Sequence, residues 1–208
     1  MTKLTDVPEL VVRAQELAVE LGFPLTRQPI EPGAPIPLPS ACLPGVGRFL
    51  AVLAAGCVNG VIGEYGTGTG VGTAWMASAM PGSCRLLTAE LDPERAENAT
   101  RLFAADERVQ VLAGDAVSAL AGQGPYDLIF ADCGIRQDAA FDSVVDLLKL
   151  GGRVVMDDVT PMAMLPDDSP YKGGDDIKRR LFGNPRLVSA EVVLPDLANS
   201  LLVGTRVA

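Results

Sequence analysis

Three glycines at alternate positions, Gly66, Gly68 and Gly70, constrain this chain more than any other stretch of it. A short apolar run, Val61 and Ile62, leads through Glu64 into them, and a helix-compatible segment, Val71 to Met80, follows at once. Strand, glycine loop and helix in that order bring a ligand onto the backbone N–H groups at a helix N-terminus. Glycine is needed there because a Cβ would block close approach, and because some loop positions require a positive φ. An ordinary strand-to-helix turn does not need three of them.

The rest of the chain repeats that alternation. Strands are expected at Val61–Tyr65, Arg85–Glu90, Val109–Ala113, Tyr126–Asp132 and Arg153–Asp157. Helices are expected between them at Val71–Met80, Pro93–Ala105, Ala116–Leu120 and Ala139–Leu148. This predicts a Rossmann-like, doubly wound α/β fold whose mostly parallel sheet is covered by helices on both faces. After a helix around Asp175–Phe182 come two apolar runs, Leu187–Leu194 and Ser200–Val207, joined only by Pro195 to Asn199. So short a turn joins antiparallel neighbours, which gives seven strands with an antiparallel C-terminal pair at the sheet edge.

Ahead of the alternation, Leu10, Ala14, Leu17 and Leu21 recur at helical spacing, with Asp6 as N-cap, Pro8 in the first turn and Gly22 as C-cap. Gly45 to Cys57 reads as a second helix. Between these two, Pro29, Pro32, Pro35, Pro37 and Pro39 exclude a helix interior or a central strand. What remains is a linker or a loop wrapped over a site. The chain thus divides into an N-terminal helix and proline-rich arm, residues 1–44, and one α/β domain, residues 45–208.

Composition works here by exclusion. There is no histidine, which removes Ser-His-Asp and Cys-His catalysis and His-ligated zinc. A net charge of −9 argues against nucleic acid as a partner, since phosphate binding depends on clustered Lys and Arg. The one dense basic cluster, Lys178-Arg179-Arg180, is expected to be a solvated helix face. No apolar run approaches the roughly 18 residues of a membrane span, and no signal segment opens the chain, so a cytoplasmic protein without a membrane partner is expected. Cys42, Cys57, Cys84 and Cys133 form no C-x-x-C pair and read as reduced thiols packed as small apolar residues. Trp75 is expected in the core. The apolar first helix and the proline-rich arm are features on which a homodimer could be built.

Acidic residues stand at four successive strand ends: Glu90, then Asp115 in AGDA, then Asp132, then Asp157 with Asp158. One such acid can be a helix N-cap, as Asp115 is placed to be. Four in a row face the crevice where α/β sheets collect ligands. Glu90 lies 24 residues after Gly66, where a carboxylate can accept hydrogen bonds from ribose hydroxyls. A dinucleotide fingerprint would need glycine at the position of Val71, and a P-loop would need a Gly-Lys pair that the chain lacks. Glu64 repels a pyrophosphate but suits a cationic or amino group. The chemistry points to a cofactor with adenine, ribose and a positively charged amino-acid part.

The stretches EYGTGTG, LLTAELDP, AGDA, YDLIFADC and GGRVVMDDV together resemble the class I S-adenosylmethionine-dependent methyltransferases, and more narrowly the cation-dependent O-methyltransferases of the catechol and caffeoyl-CoA type. The similarity runs from about Ser40 to the C-terminus. It implies that Glu64, Gly66, Thr67, Gly68 and Gly70 hold the methionine part of S-adenosylmethionine and Glu90 its ribose. It implies that Leu91 packs on the adenine, that Asp115 and Ala116 meet the adenine edge, and that Ser40 and Cys42 touch the methionine end. It further implies that Asp132 borders both cofactor and acceptor as the catalytic carboxylate. Asp132, Asp157 and Asp158 would bind a divalent cation, Mg²⁺, for which an all-oxygen site is chemically right.

Two positions depart from the family pattern. Asp158 stands where the third ligand is typically Asn, and Ile135 where a lysine usually helps deprotonate the acceptor hydroxyl. The adjacent Arg136 is a poor base because guanidinium stays protonated, while Cys133 and Gly134 replace larger residues. A metal-chelated vicinal diol would make a lysine less necessary. The leading expectation is in-line methyl transfer to a small phenolic or catechol-like hydroxyl. Also open are a metal-independent methyltransferase, for which Asp157 and Asp158 are turn caps, and a non-catalytic protein that binds the cofactor or its product. An NAD-type oxidoreductase is disfavoured by Val71 and Glu64. Tyr171, Met162 and Met164 either line a substrate pocket or belong to a surface loop.

Overall fold

Apolar runs that the sequence bounds with glycine and acid become strands buried on both faces. The computed structural model describes residues 6–26, 40–132, 138–159, 161, 176–194 and 199–208. Its elements run α1 (Glu9–Glu20), α2 (Pro44–Ala55), β1 (Val61–Tyr65), α3 (Val71–Ala79), β2 (Arg85–Glu90), α4 (Pro93–Phe103) and β3 (Val109–Ala113). They continue with α5 (Ala116–Leu120), β4 (Tyr126–Ala131), α6 (Asp138–Leu147), β5 (Leu148–Val159), α7 (Asp176–Gly183), β6 (Leu187–Leu194) and β7 (Asn199–Arg206). The seven strands form one sheet in the order β3-β2-β1-β4-β5-β7-β6. The first five pair in parallel, and β7 lies antiparallel to both β5 and β6.

Every residue of the central β4 is buried, whereas β3 at the edge is largely half-exposed. That is the signature of a parallel sheet covered on both faces. One face packs Leu120, Phe141, Val144, Val145 and Leu181 against the sheet. The other packs Leu50, Ala54, Met76 and Met80 against Ile62, Leu86 and Leu128. The strand order reverses between β1 and β4, so the crevice at their carboxyl ends is the natural ligand site of this topology.

Three expectations are corrected. The first helix starts at Glu9 with Pro8 as N-cap and without a side-chain cap, so Asp6 is not the cap: the Pro8 carbonyl already accepts from the N–H groups of Val11 and Val12. Its buried face is Val11, Ala14 and Ala18 rather than Leu10, Ala14, Leu17 and Leu21, because α1 closes on Val71, Ala74 and Trp75, where small side chains allow close approach. Lys178 is not solvated. It is 3% exposed, and its ammonium donates to Glu191 at 2.8 Å, which also accepts from the Ser200 hydroxyl at 2.6 Å. Trp75 and Cys57 and Cys84 are buried as expected, and β5 is longer at both ends than Arg153–Asp157. The arm prolines 29–39, residues 133–137 and the loop carrying Met162, Met164 and Tyr171 lie outside the described residues. Among the described residues, no helix is long and apolar enough to cross a membrane.

Candidate active site

A cavity of about 420 Å³ lies over the carboxyl ends of β1, β2, β3 and β4. It is lined by Ser40, Cys42, Glu64, Gly66, Thr67 and Gly68 and by Glu90, Leu91, Asp115, Ala116 and Asp132. The structure therefore gathers residues from four strand ends and from the close of the proline-rich arm into one space. Gly70 stands apart, since it does not line the cavity. It caps α3 at φ +84°, and a Cβ there would lie 3.0 Å from the Phe103 ring, so packing and backbone, not ligand approach, demand glycine.

The loop is held from below by the sheet. The N–H groups of Gly66 and Thr67 both donate to the Ala89 carbonyl, at 3.0 and 3.1 Å, which ties the β1 turn to β2. Gly68 adopts φ +55° with open space on its Cβ side, so its backbone faces the cavity unobstructed. Its N–H donates to Glu90 Oε2 at 2.8 Å, and Asp92 N–H donates to Oε1 at 3.0 Å. Glu90 is 6% exposed. Two backbone donors fix its carboxylate and leave acceptor capacity, as a carboxylate has about four lone-pair sites.

Glu64 is 1% exposed and lines the same cavity. Its Oε2 accepts from the hydroxyls of Thr73 and Thr88, the latter at 2.6 Å, and Thr88 in turn lies 2.6 Å from the Thr67 hydroxyl. No cationic side chain is paired with it among the described residues. Burial pushes its pKa from 4.5 up to about 7; the two threonine hydroxyls pull it partly back and Glu90 adds a smaller upward push. A raised carboxyl pKa means the folded chain holds a proton that the unfolded chain has lost between those pH values. The contribution to stability is present below about 4.5 and lost as pH rises to about 7, by a few kcal/mol on the scale of about 1.4 kcal/mol per pH unit. Glu64→Gln is expected to flatten that slope in the empty protein, read as melting temperature against pH; a slope equal to the wild type's would assign it to another group.

Asp115 caps α5, accepting from Ser118 N–H at 3.0 Å, while also lining the cavity. Asp132 is placed by its own N–H, which donates to the Tyr65 carbonyl at 3.1 Å. Ala131 pairs with Met156, so continuing that register sets Asp132, just past β4, beside Asp157, which lies inside β5 shortly before its end at Val159. Asp157 does not line the cavity, and the Asp158 side chain lies outside the described residues. Among the described residues, no three acidic or thiol groups gather as a metal cluster. The donors at hand are carboxylate oxygens, which suit a hard divalent cation.

Sequence reasoning missed Thr73 and Thr88, the partners of Glu64. Thr88 left a trace, being the one hydroxyl in the run Leu86 to Ala89 and directly opposite Glu64 in the β1–β2 register. Phe23 and Arg95 were missed as well, and both line the cavity.

Residues 64–159 match a family described as a methyltransferase domain. A catechol O-methyltransferase of Niastella koreensis is 39% identical over 97 residues, 43% of this chain and 44% of that protein. One of Mycobacterium tuberculosis is 35% identical over 121 residues, 54% of each chain. The match thus spans about half the length of these curated relatives. An O-methyltransferase of Streptomyces achromogenes involved in tomaymycin synthesis, solved with S-adenosylmethionine, has the same fold, with a TM-score of 0.72 at 23% identity over 100% of this chain and 93% of that one.

Proposed function

We propose, from the match of residues 64–159 to a methyltransferase domain and the likeness to catechol O-methyltransferases, that this chain is a class I S-adenosylmethionine-dependent methyltransferase and transfers a methyl group from S-adenosylmethionine to the hydroxyl oxygen of a small catechol-like or phenolic molecule. The observation that carries the reading is Glu64, a buried carboxylate with no cation paired to it among the described residues, in one cavity with the Glu90 carboxylate, which keeps acceptor capacity beside its donors. A ligand with a cationic amino-acid end and a ribose diol satisfies both.

When bound, S-adenosylmethionine supplies an electrophilic methyl group on a sulfonium sulfur. The chain's own residues bind and aim it. Glu64 offsets the positive charge of the methionine end, with Ser40 and Cys42 beside it. Gly66, Thr67 and Gly68 let that end approach the backbone. Glu90 accepts from the ribose hydroxyls, Leu91 packs on the adenine, and Asp115 and Ala116 border its edge. Leu91 is 74% exposed, which suits an apolar side chain whose covering partner is a ligand. Alignment of acceptor and donor supplies most of the catalysis in such a transfer, since holding the reactants removes a large entropic barrier. Asp132, between Tyr65 and the cavity, borders the reacting groups.

Asp132 and Asp157, with Asp158, would hold a Mg²⁺ ion, which would lower the pKa of a chelated hydroxyl. Calorimetric titration of S-adenosylhomocysteine should give saturable binding, and mass spectrometry should find methylated product from a panel of catechols and phenols. Failure of the chain to bind S-adenosylhomocysteine would sink the reading. Mg²⁺ added to the saturated protein is expected to bind in a manner lost on Asp157→Ala; an unaltered titration would leave a metal-independent transferase.

A further inference from the structure

Phe23 sits where the N-terminal helix ends, and its position is set twice over. Gly22 adopts φ +78°, its N–H donates to the Val19 carbonyl at 3.0 Å, and Phe23 N–H reaches back to Ala18 at 2.8 Å. These are the paired bonds of a glycine-terminated helix. One residue on, the Pro24 carbonyl accepts from Ala41 N–H at 2.9 Å, which returns the chain to the cavity. The ring packs against the cluster containing Val11, Ala14 and Ala18.

That fixed ring carries the guanidinium of Arg95, whose central carbon lies 5.8 Å from the ring centroid, within cation–π range. Arg95 in turn places Nη2 3.4 Å from Glu90 Oε1 and Nε 3.8 Å from Asp92 Oδ2. It is the one cation paired with Glu90 among the described residues. Its side chain is 34% exposed, so without the ring a long, rotamer-rich arm would sample solvent instead of one geometry. Gly68 N–H, Asp92 N–H and Arg95 together hold both oxygens of Glu90.

We infer that Phe23 and Arg95 act as one unit that positions the Glu90 carboxylate for the cofactor's ribose, making the end of the N-terminal helix a working part of the cofactor site. The inference rests on the reading that Glu90 receives the ribose. Phe23 acts through Arg95, and Arg95 acts through Glu90. Lysine is a poor replacement for the arginine, because a single ammonium cannot lie over the ring and at the same time reach both Glu90 and Asp92, as the planar guanidinium does.

The test is calorimetric titration of S-adenosylhomocysteine, and separately of adenosine, into wild type, Phe23→Ala, Phe23→Leu, Arg95→Ala, Arg95→Lys and the double variant Phe23→Ala/Arg95→Ala. Phe23→Ala is expected to weaken both ligands alike, by about three- to tenfold, the range of a partly desolvated cation–π contact. Phe23→Leu, which keeps the apolar packing but not the ring face, should lose the same factor. Arg95→Lys should resemble Arg95→Ala. The double variant should be no weaker than Arg95→Ala alone, because the ring works only through the guanidinium. Wild-type binding that Phe23→Ala and Phe23→Leu leave unchanged overturns the inference. So does a double variant that loses the product of the two single factors, or a loss confined to S-adenosylhomocysteine. A wild type that binds neither ligand overturns the cofactor reading itself, which is a separate result.

Discussion

Glu90→Ala is expected to weaken S-adenosylhomocysteine binding by about a hundredfold or more, since a hydrogen bond to a charged acceptor contributes about 1.5–3 kcal/mol and a ribose diol would make two. The loss has two sources. One is the acceptor itself. The other is the loop, because the Gly68 N–H, 2.8 Å from Glu90 Oε2, then has no side-chain partner and the glycine turn is no longer tied to the end of β2. Glu90→Gln separates them: it keeps the shape and one acceptor oxygen, and is expected to lose about tenfold, as neutral hydrogen bonds are roughly half as strong as charge-assisted ones. Isothermal titration measures both. An alanine variant whose dissociation constant stays within a factor of about three of the wild type would remove Glu90 from the ribose site.

Gly47→Ala carries the largest expected stability loss. Gly47 lies inside α2, and a Cβ there would stand 2.1 Å from Trp75 Cδ1 and 2.2 Å from Nε1. On helix propensity alone the change would stabilise by about 1 kcal/mol. The contact reverses the sign. Trp75 is 4% exposed and packed against α1, including Val11 and Ala14, so the indole has no free direction in which to move. Overpacking of this kind costs about 1–3 kcal/mol and sometimes more, and at about 2–4 °C per kcal/mol in a chain this size the melting temperature should fall by several degrees. Adding Trp75→Phe, which opens volume at the contact, should recover part of the loss. A Gly47→Ala variant that melts at or above the wild type would show that α2 and α3 can separate at little cost.

The sheet was legible because its signals are local. Val61–Tyr65 and Arg85–Glu90 are short apolar runs bounded by glycine and acid, and the structure reproduces their limits. Glu90, Asp115 and Asp132 were legible because topology alone sends the ends of parallel strands to one crevice, whereas Asp157 does not line it. What the chain hid depends on side chains far apart in sequence. Nothing near Lys178 announces that Glu191 and Ser200 will bury its charge. Nothing near Phe23 announces Arg95, more than seventy residues on. The face of α1 was misread because leucine spacing marks an amphipathic helix, yet a close helix–helix approach selects the small side chains of Ala14 and Ala18 instead.

The position of β7 has a consequence in time. It follows β6 in the chain, yet it pairs with β5 on one side and β6 on the other. Until Asn199 to Arg206 have been made, β5 is an open edge with unpaired backbone groups, and β6 has no sheet to join. Such edges invite pairing with other chains. A chain made only as far as β6 thus leaves that side of β5 uncovered, and the rate at which β7 pairs sets how long each new molecule stays open to its neighbours.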